Sequence, residues 1–258
     1  VTIAVLMALF APLLPLQEPT DLDLKNRLLP ISADHPLGTD HLGRDELSRL
    51  VYGARTTLGL ASLSLIIIMS IALLIGAISG YHGGWLDTGL MAVVDLVLAF
   101  PSLILGIAVA GILGPSIVNV LVAVSVVWWA GYARVIRSMV LSARNRDYVE
   151  AARAIGASDA RIVVFHIARN ILGPFVVLAT LDMGFIILGI AGLSFLGFGA
   201  QPPTPEWGAM LNESRSYMQT NPSLLLVPGL AIFTLVLGFN LLGDGIRDLL
   251  DPTTYRPE

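Results

Sequence analysis

Residues Leu58–Gly80 read LGLASLSLIIIMSIALLIGAISG, a stretch without one charged side chain. As a helix it would be about 35 Å long at 1.5 Å of rise per residue, enough to cross a hydrocarbon core of about 30 Å. The whole chain shares this bias. Of its 258 residues, 55% are hydrophobic and 13% charged, with a mean hydropathy of +0.78, where soluble domains carry about 25% charged residues. Too few charges remain to cover a water-facing surface, so the solvent for these stretches is a bilayer.

Working outward, five more apolar stretches appear. Val1–Leu16 is uncharged but falls short of the roughly 20 residues a span needs. It reads as a first transmembrane helix clipped at its start, because the chain opens on Val1 rather than Met and carries no small-residue cleavage site. Thr88–Leu113 contains Asp95 and Pro101; Pro115–Ala133 ends in Trp128, Trp129 and Tyr132, residues suited to an interfacial belt. Ile171–Ala200 has Asp182 as its only charge, and Ser223–Gly243 has none. Lipid offers no partner to unpaired backbone groups, and none of these runs alternates like a barrel strand. The expected fold class is all-α, a polytopic membrane helical bundle of about six transmembrane helices.

Charge orients the bundle. Arg134 to Arg169 holds seven bases against three acids, while Gln17 to Thr57 holds five against seven. The basic loop is therefore expected in the cytoplasm with both termini, and the acidic loops outside. Other chemistry is excluded. Zero cysteines remove disulfides and thiolate chemistry; His35, His41, His82 and His166 are scattered, so no metal site is expected. A net charge of -4 does not suit nucleic acid. A phosphate-binding loop needs G-x-x-x-x-G-K-[ST], and the only lysine, Lys25, precedes Asn26. No cofactor is expected on this chain, and any energy must come from another subunit.

Within the basic loop, Tyr148, Ala151, Ala152 and Ile155 recur at i, i+3, i+4 and i+7, one apolar stripe on a short helix, with Glu150 and Arg153 off that face. Gly156 suits a left-handed stop, and Ser158 an N-cap for a second helix from Asp159. The small alanines would let the stripe fit a groove on another protein. Periodicity alone equally allows a helix resting on its own bundle or on headgroups.

Glu150-Ala151-Ala152 with Gly156 and Ile162 resembles the EAA loop of ABC importer permeases, although His166-Ile167-Ala168-Arg169-Asn170 stands where many members carry a Leu-Pro pair. Leu37 to Asp45, continuing to Arg55, resembles the N-terminal region of the C-type permeases of dipeptide, oligopeptide and nickel importers. So do Ser194–Gly197 with Pro202–Gly208, and Phe239–Asp248 running on to Leu250-Asp251-Pro252. The resemblance implies a type I, MetI-like permease fold in a bacterial inner membrane. It implies that Tyr148, Glu150, Ala151, Ala152, Ile155, Gly156, Ser158 and Asp159 couple the chain to a cytoplasmic ATPase. Its implied partners are a homologous B-type permease in a heterodimer, two ATPase subunits that hold ATP and Mg, and an external solute-binding protein. The matching organisation is a first helix at 1–16, an external loop at 17–57, a core at 58–243 containing a cytoplasmic loop at 141–169, and a cytoplasmic tail at 244–258.

Asp182 needs an explanation, since an acid at the bilayer centre costs about 2.5–3.5 kcal/mol on insertion scales. It reads either as a pathway residue that attracts a cation or peptide amine, or as a carboxyl hydrogen-bonded across helices. A self-contained secondary transporter or channel would use it as an ion-coupling site, though such a carrier has no need of an exposed docking helix. Asp95 is expected to be structural. Thr39-Asp40 and Arg44-Asp45-x-x-Ser48-Arg49 are expected to pair among themselves. The resemblance covers nickel, nickel chelates and peptides; His41 and Asp182 look slightly more like the nickel branch.

Overall fold

The computed structural model describes residues 1–250. Its helices are α1 (Thr2–Phe10), α2 (Glu46–His82), α3 (Gly84–Leu98), α4 (Ser102–Leu113), α5 (Ile117–Arg144), α6 (Asp147–Ala154), α7 (Asp159–Arg161), α8 (Ala168–Phe195), α9 (Trp207–Ser214) and α10 (Ser223–Leu250). A π-helical stretch, Ile162–Ile167, joins α7 to α8 as one continuous helix. Among the described residues, α2, α5, Asp159–Phe195 and α10 are each long and apolar enough to cross a membrane.

Helix bounds refine three of the expected segments. The single span expected over Thr88–Leu113 is instead α3 and α4, bent by 84°. Pro101 explains the break, because it lacks an N–H and disfavours helical geometry at the residue before it. The tail expected from residue 244 begins as helix, since α10 runs to Leu250; Asp251–Glu258 lie outside the described residues. Likewise α2 starts at Glu46, inside the expected external loop. Residues Thr2–Leu13 form a shorter apolar helix.

The chain divides into two compact units. The first comprises Val1–Ser64, Gly106–Val124 and Met183–Asn240. Ile186, Ile187, Ile190 and Leu193 are fully buried along α8 here. Glu206, also buried, caps α9: it accepts the Gly208 and Ala209 N–H groups at 2.9 Å each and the Thr57 hydroxyl at 3.2 Å. Burial pushes its carboxyl above the ordinary carboxylate range, and these hydrogen bonds pull it partly back. Next to the cap, Trp207 lies on Gly53, where a Cβ would stand 2.9 Å from the indole Cδ1, and its N–H donates to the Leu50 carbonyl at 2.9 Å.

The same unit buries a charge network. Arg44 Nε donates to Asp40 Oδ2 at 2.6 Å, and Glu213 Oε2 accepts from Arg44 at 2.5 Å and Arg49 at 2.9 Å. Asp40 Oδ1 also accepts the Leu42 and Arg44 backbone N–H groups, and Asp45 accepts that of Ser48. The pairing expected from the sequence is present, with Glu213 as an added member.

The second unit takes in Leu65–Leu105, Ser125–Asp182 and the chain from Leu241. Ala72, Gly76 and Gly80 recur every four residues along α2, a small-residue stripe that lets helices approach closely. A Cβ at Gly76 would stand 2.7 Å from the Ala133 carbonyl oxygen, and one at Gly80 2.7 Å from that of Arg137, so α2 and α5 touch backbone to backbone. Buried Ala130, Ala133, Ile136 and Val140 complete that side of α5. Arg137 clamps Asp87 of α3 with two bonds, at 2.6 and 2.5 Å, and the Ser79 hydroxyl donates to the same carboxylate. Asp95, on the exposed face of α3, pairs with Arg134.

Candidate functional site

The basic loop lies within the second unit. After α5 ends at Arg144, α6 starts with Asp147 and Glu150 in its first turn and carries Arg153 in its last, charges placed to suit the helix dipole. It closes on Gly156, whose φ of +83° is left-handed. The Gly156 N–H donates to the Arg153 carbonyl at 2.9 Å and the Ala157 N–H to that of Ala152 at 3.0 Å, a Schellman stop. A Cβ on Gly156 would meet nothing within 4 Å, so the position needs glycine for its backbone conformation and not for space. Ser158 then caps α7 by accepting the Arg161 N–H at 3.4 Å.

The helix–turn–helix is present, but its stripe is divided. Val149 and Ala152 are buried, whereas Ala151 is exposed, Tyr148 half-buried and Ile155 86% exposed. Glu150 is exposed as well. The correction has a simple cause. The packed face is turned from the expected one: the unit's own core takes the Val149–Ala152 edge, leaving Ala151 and Ile155 exposed and Tyr148 half-buried.

The loop runs on directly into the next helix. With Ala168-Arg169 in place of Leu-Pro, nothing breaks the chain there, and the π-stretch leads straight into α8. Ile162 and Ile167 are both buried, and their spacing of five residues is one π turn, which keeps them on the same side.

Tyr81, near the end of α2, was missed by sequence reasoning. Its hydroxyl donates to Asp159 Oδ1 at 2.5 Å, and the Arg153 guanidinium sits 5.6 Å from its ring centroid. One aromatic residue thus holds both arms of the loop through a charge-assisted hydrogen bond and a cation–π contact. No local pattern shows this, since 78 residues separate Tyr81 from Asp159.

Asp182 is half-buried near the middle of the Asp159–Phe195 helix. Its carboxyl faces the Tyr132 hydroxyl, and Oδ2 is buried without a hydrogen-bond partner. In the first unit, Asp40, His41 and Glu213 bring potential ligand atoms within 4.8 Å of one another. Both carboxylates already bind Arg44 or Arg49, so the arginines occupy the place a cation would take.

The class follows from the fold. An inward-facing structure of the MetNI methionine ABC transporter contains a chain that superposes with a TM-score of 0.65 at 20% identity, covering 80% of this chain and 98% of that one. The architecture is thus the all-α, MetI-like permease fold. The sequence profile of the binding-protein-dependent transport system inner membrane component matches residues 72–255, and the chain belongs to this family.

Relatives include the dipeptide transport system permease protein DppC of Alkalihalophilus pseudofirmus, 44% identical over 98% of this chain and 83% of that protein. The nickel transport system permease protein NikC of Escherichia coli is 45% identical over 91% and 85%. The glutathione transport system permease protein GsiD of Pectobacterium atrosepticum is 45% identical over 86% and 73%. The chain is therefore an inner-membrane permease subunit of an ABC importer, a transport component that works with an ATPase and a binding protein. This favours the ATP-driven importer over a self-contained carrier.

Proposed function

We propose that the chain is the C-type half of a heterodimeric permease that moves a di- or oligopeptide, nickel or a nickel chelate, handed over by an external solute-binding protein. A B-type permease forms the other half. Two ATPase subunits bind ATP and Mg on the cytoplasmic side, and this chain holds no cofactor or metal and has no ATPase site. Residues 1–16 begin the bundle, 17–57 lie outside, and both termini with the 141–169 loop face the cytoplasm. The excess of bases over acids in that loop supports this orientation.

The observation that carries the reading is the outward face of Tyr148, Ala151 and Ile155 on a helix whose opposite edge is packed. An ATPase groove receives this face together with Glu150, Ala152 backs the face from the packed edge, and the Gly156–Ser158 turn and Asp159 transmit its movement. ATP-driven closure of the ATPase pair biases a bundle that has two arrangements. Binding of dipeptides and nickel complexes to the partner solute-binding protein tests the substrate class. Uptake by the reconstituted importer tests the coupling: transport without ATPase subunits would overturn it.

Asp182 is assigned to the translocation pathway, supported by its unpartnered Oδ2 at mid-span. Asp182→Asn is expected to impair uptake without loss of folded protein. Unchanged uptake would return the residue to a structural role with Tyr132.

A further inference from the structure

Where α8 begins and α10 ends, the second unit has a groove of about 650 Å³ with two different ends. One wall is a strip of α8 made of Gly173, Pro174, Val177, Leu178 and Leu181. These positions follow i, i+1, i+4, i+5 and i+8, a single helix face. The strip extends about 12 Å along the axis, most of one leaflet of a core about 30 Å thick. Arg169 and Arg247 also line the groove, with Asn170 between the basic and apolar parts. Among the described residues no acid lines it.

Among the described residues the two arginines are unpaired. Elsewhere in this unit Arg134 holds Asp95, Arg137 holds Asp87, and Arg153 covers the Tyr81 ring. Arg169 and Arg247 have no hydrogen bond or ion pair among the described residues. Pro174 adds an acceptor, because it has no N–H to give and leaves the Asn170 carbonyl without its helical donor.

We propose that this groove binds an anionic phospholipid, with the phosphate held by Arg169 and Arg247, a headgroup hydroxyl on the Asn170 carbonyl, and an acyl chain along the Gly173–Leu181 strip. Charge and shape agree on this occupant. A soluble anion would leave the apolar strip uncovered, and a zwitterionic lipid would bring its own cation toward two arginines. The site rests on α8 and α10 lying in the bilayer, which their length and apolar composition and the membrane family support, and does not depend on the transported substrate.

The test is native mass spectrometry of the full chain, alone and assembled with its partner subunits, after extraction from vesicles of phosphatidylcholine with or without phosphatidylglycerol. Retention of phosphatidylglycerol over phosphatidylcholine in both preparations is the expected result. The double variant Arg169→Gln/Arg247→Gln should weaken it about tenfold or more, since each interfacial arginine accounts for roughly fivefold. Arg144→Gln, which does not line the groove, should leave it unchanged. Gly173→Leu fills the strip while keeping both arginines, and should also abolish retention. Equal retention of the two lipids, retention unaffected by both kinds of variant, or loss of the lipid on assembly with the partner permease would each overturn the proposal.

Discussion

Arg44 and Arg49 of the first unit are buried and shared between Asp40 and Glu213, whereas Arg146, Arg161, Arg169 and Arg247 of the second are exposed and, among the described residues, unpaired. The first arrangement is closed. Its complementary charges come from the same chain, so the network holds the Gly38–Arg49 segment to α9. The second arrangement is open, and among the described residues nothing complements it, which leaves it available to an ATPase, a lipid or a partner permease. Residue type does not separate the two groups. What separates them is whether an acid of this chain lies within reach.

The largest way to break this contrast is Glu213→Ala. It leaves Arg44 with Asp40 alone and strips Arg49 of its 2.9 Å bond, and losing one partner of a buried ion network costs about 3–5 kcal/mol. Thermal unfolding in detergent should show a large drop, while Arg161→Ala in the open region should move stability by no more than about 0.5 kcal/mol. Equal effects would erase the distinction.

Gly156→Val comes next. A β-branched residue at a φ of +83° adds about 1–2 kcal/mol of local strain. Because nothing crowds the position, the bundle and its subunit assembly should survive. ATP hydrolysis measured beside uptake should show the two uncoupled, and normal transport would count against the coupling role of the turn.

A smaller effect is expected for Tyr81→Phe, which removes the bond to Asp159 but keeps the ring under Arg153. The loss should be about 1 kcal/mol, read as faster hydrogen exchange in α7 and reduced uptake. No change in either would make Tyr81 a bystander.

These effects also show what the sequence made legible. Leu58–Gly80 announced a span because twenty-three uncharged residues admit few other solutions, and Gly156 with Ser158 announced a turn because both act within four residues of themselves. Motif order across nearly the whole chain pointed to the permease family. The inward edge of α6 was less legible: Val149 and Ala152 are three apart, but the wider stripe around Ala151 and Ile155 masked them. Glu213 was not legible at all, lying 169 residues from Arg44 and 164 from Arg49. The bend between α3 and α4 had its signal in Pro101, though a proline alone does not state the angle.

The chain has no cysteine, so Ile155→Cys would place its only thiol on the most exposed apolar residue of the loop. Crosslinking that thiol in the assembled importer, with and without ATP, measures the central claim directly. The account expects a crosslink to an ATPase subunit whose yield changes with nucleotide, together with protection from a membrane-impermeant reagent added outside the cell. A thiol that labels from outside, or that never reaches the ATPase, would contradict it.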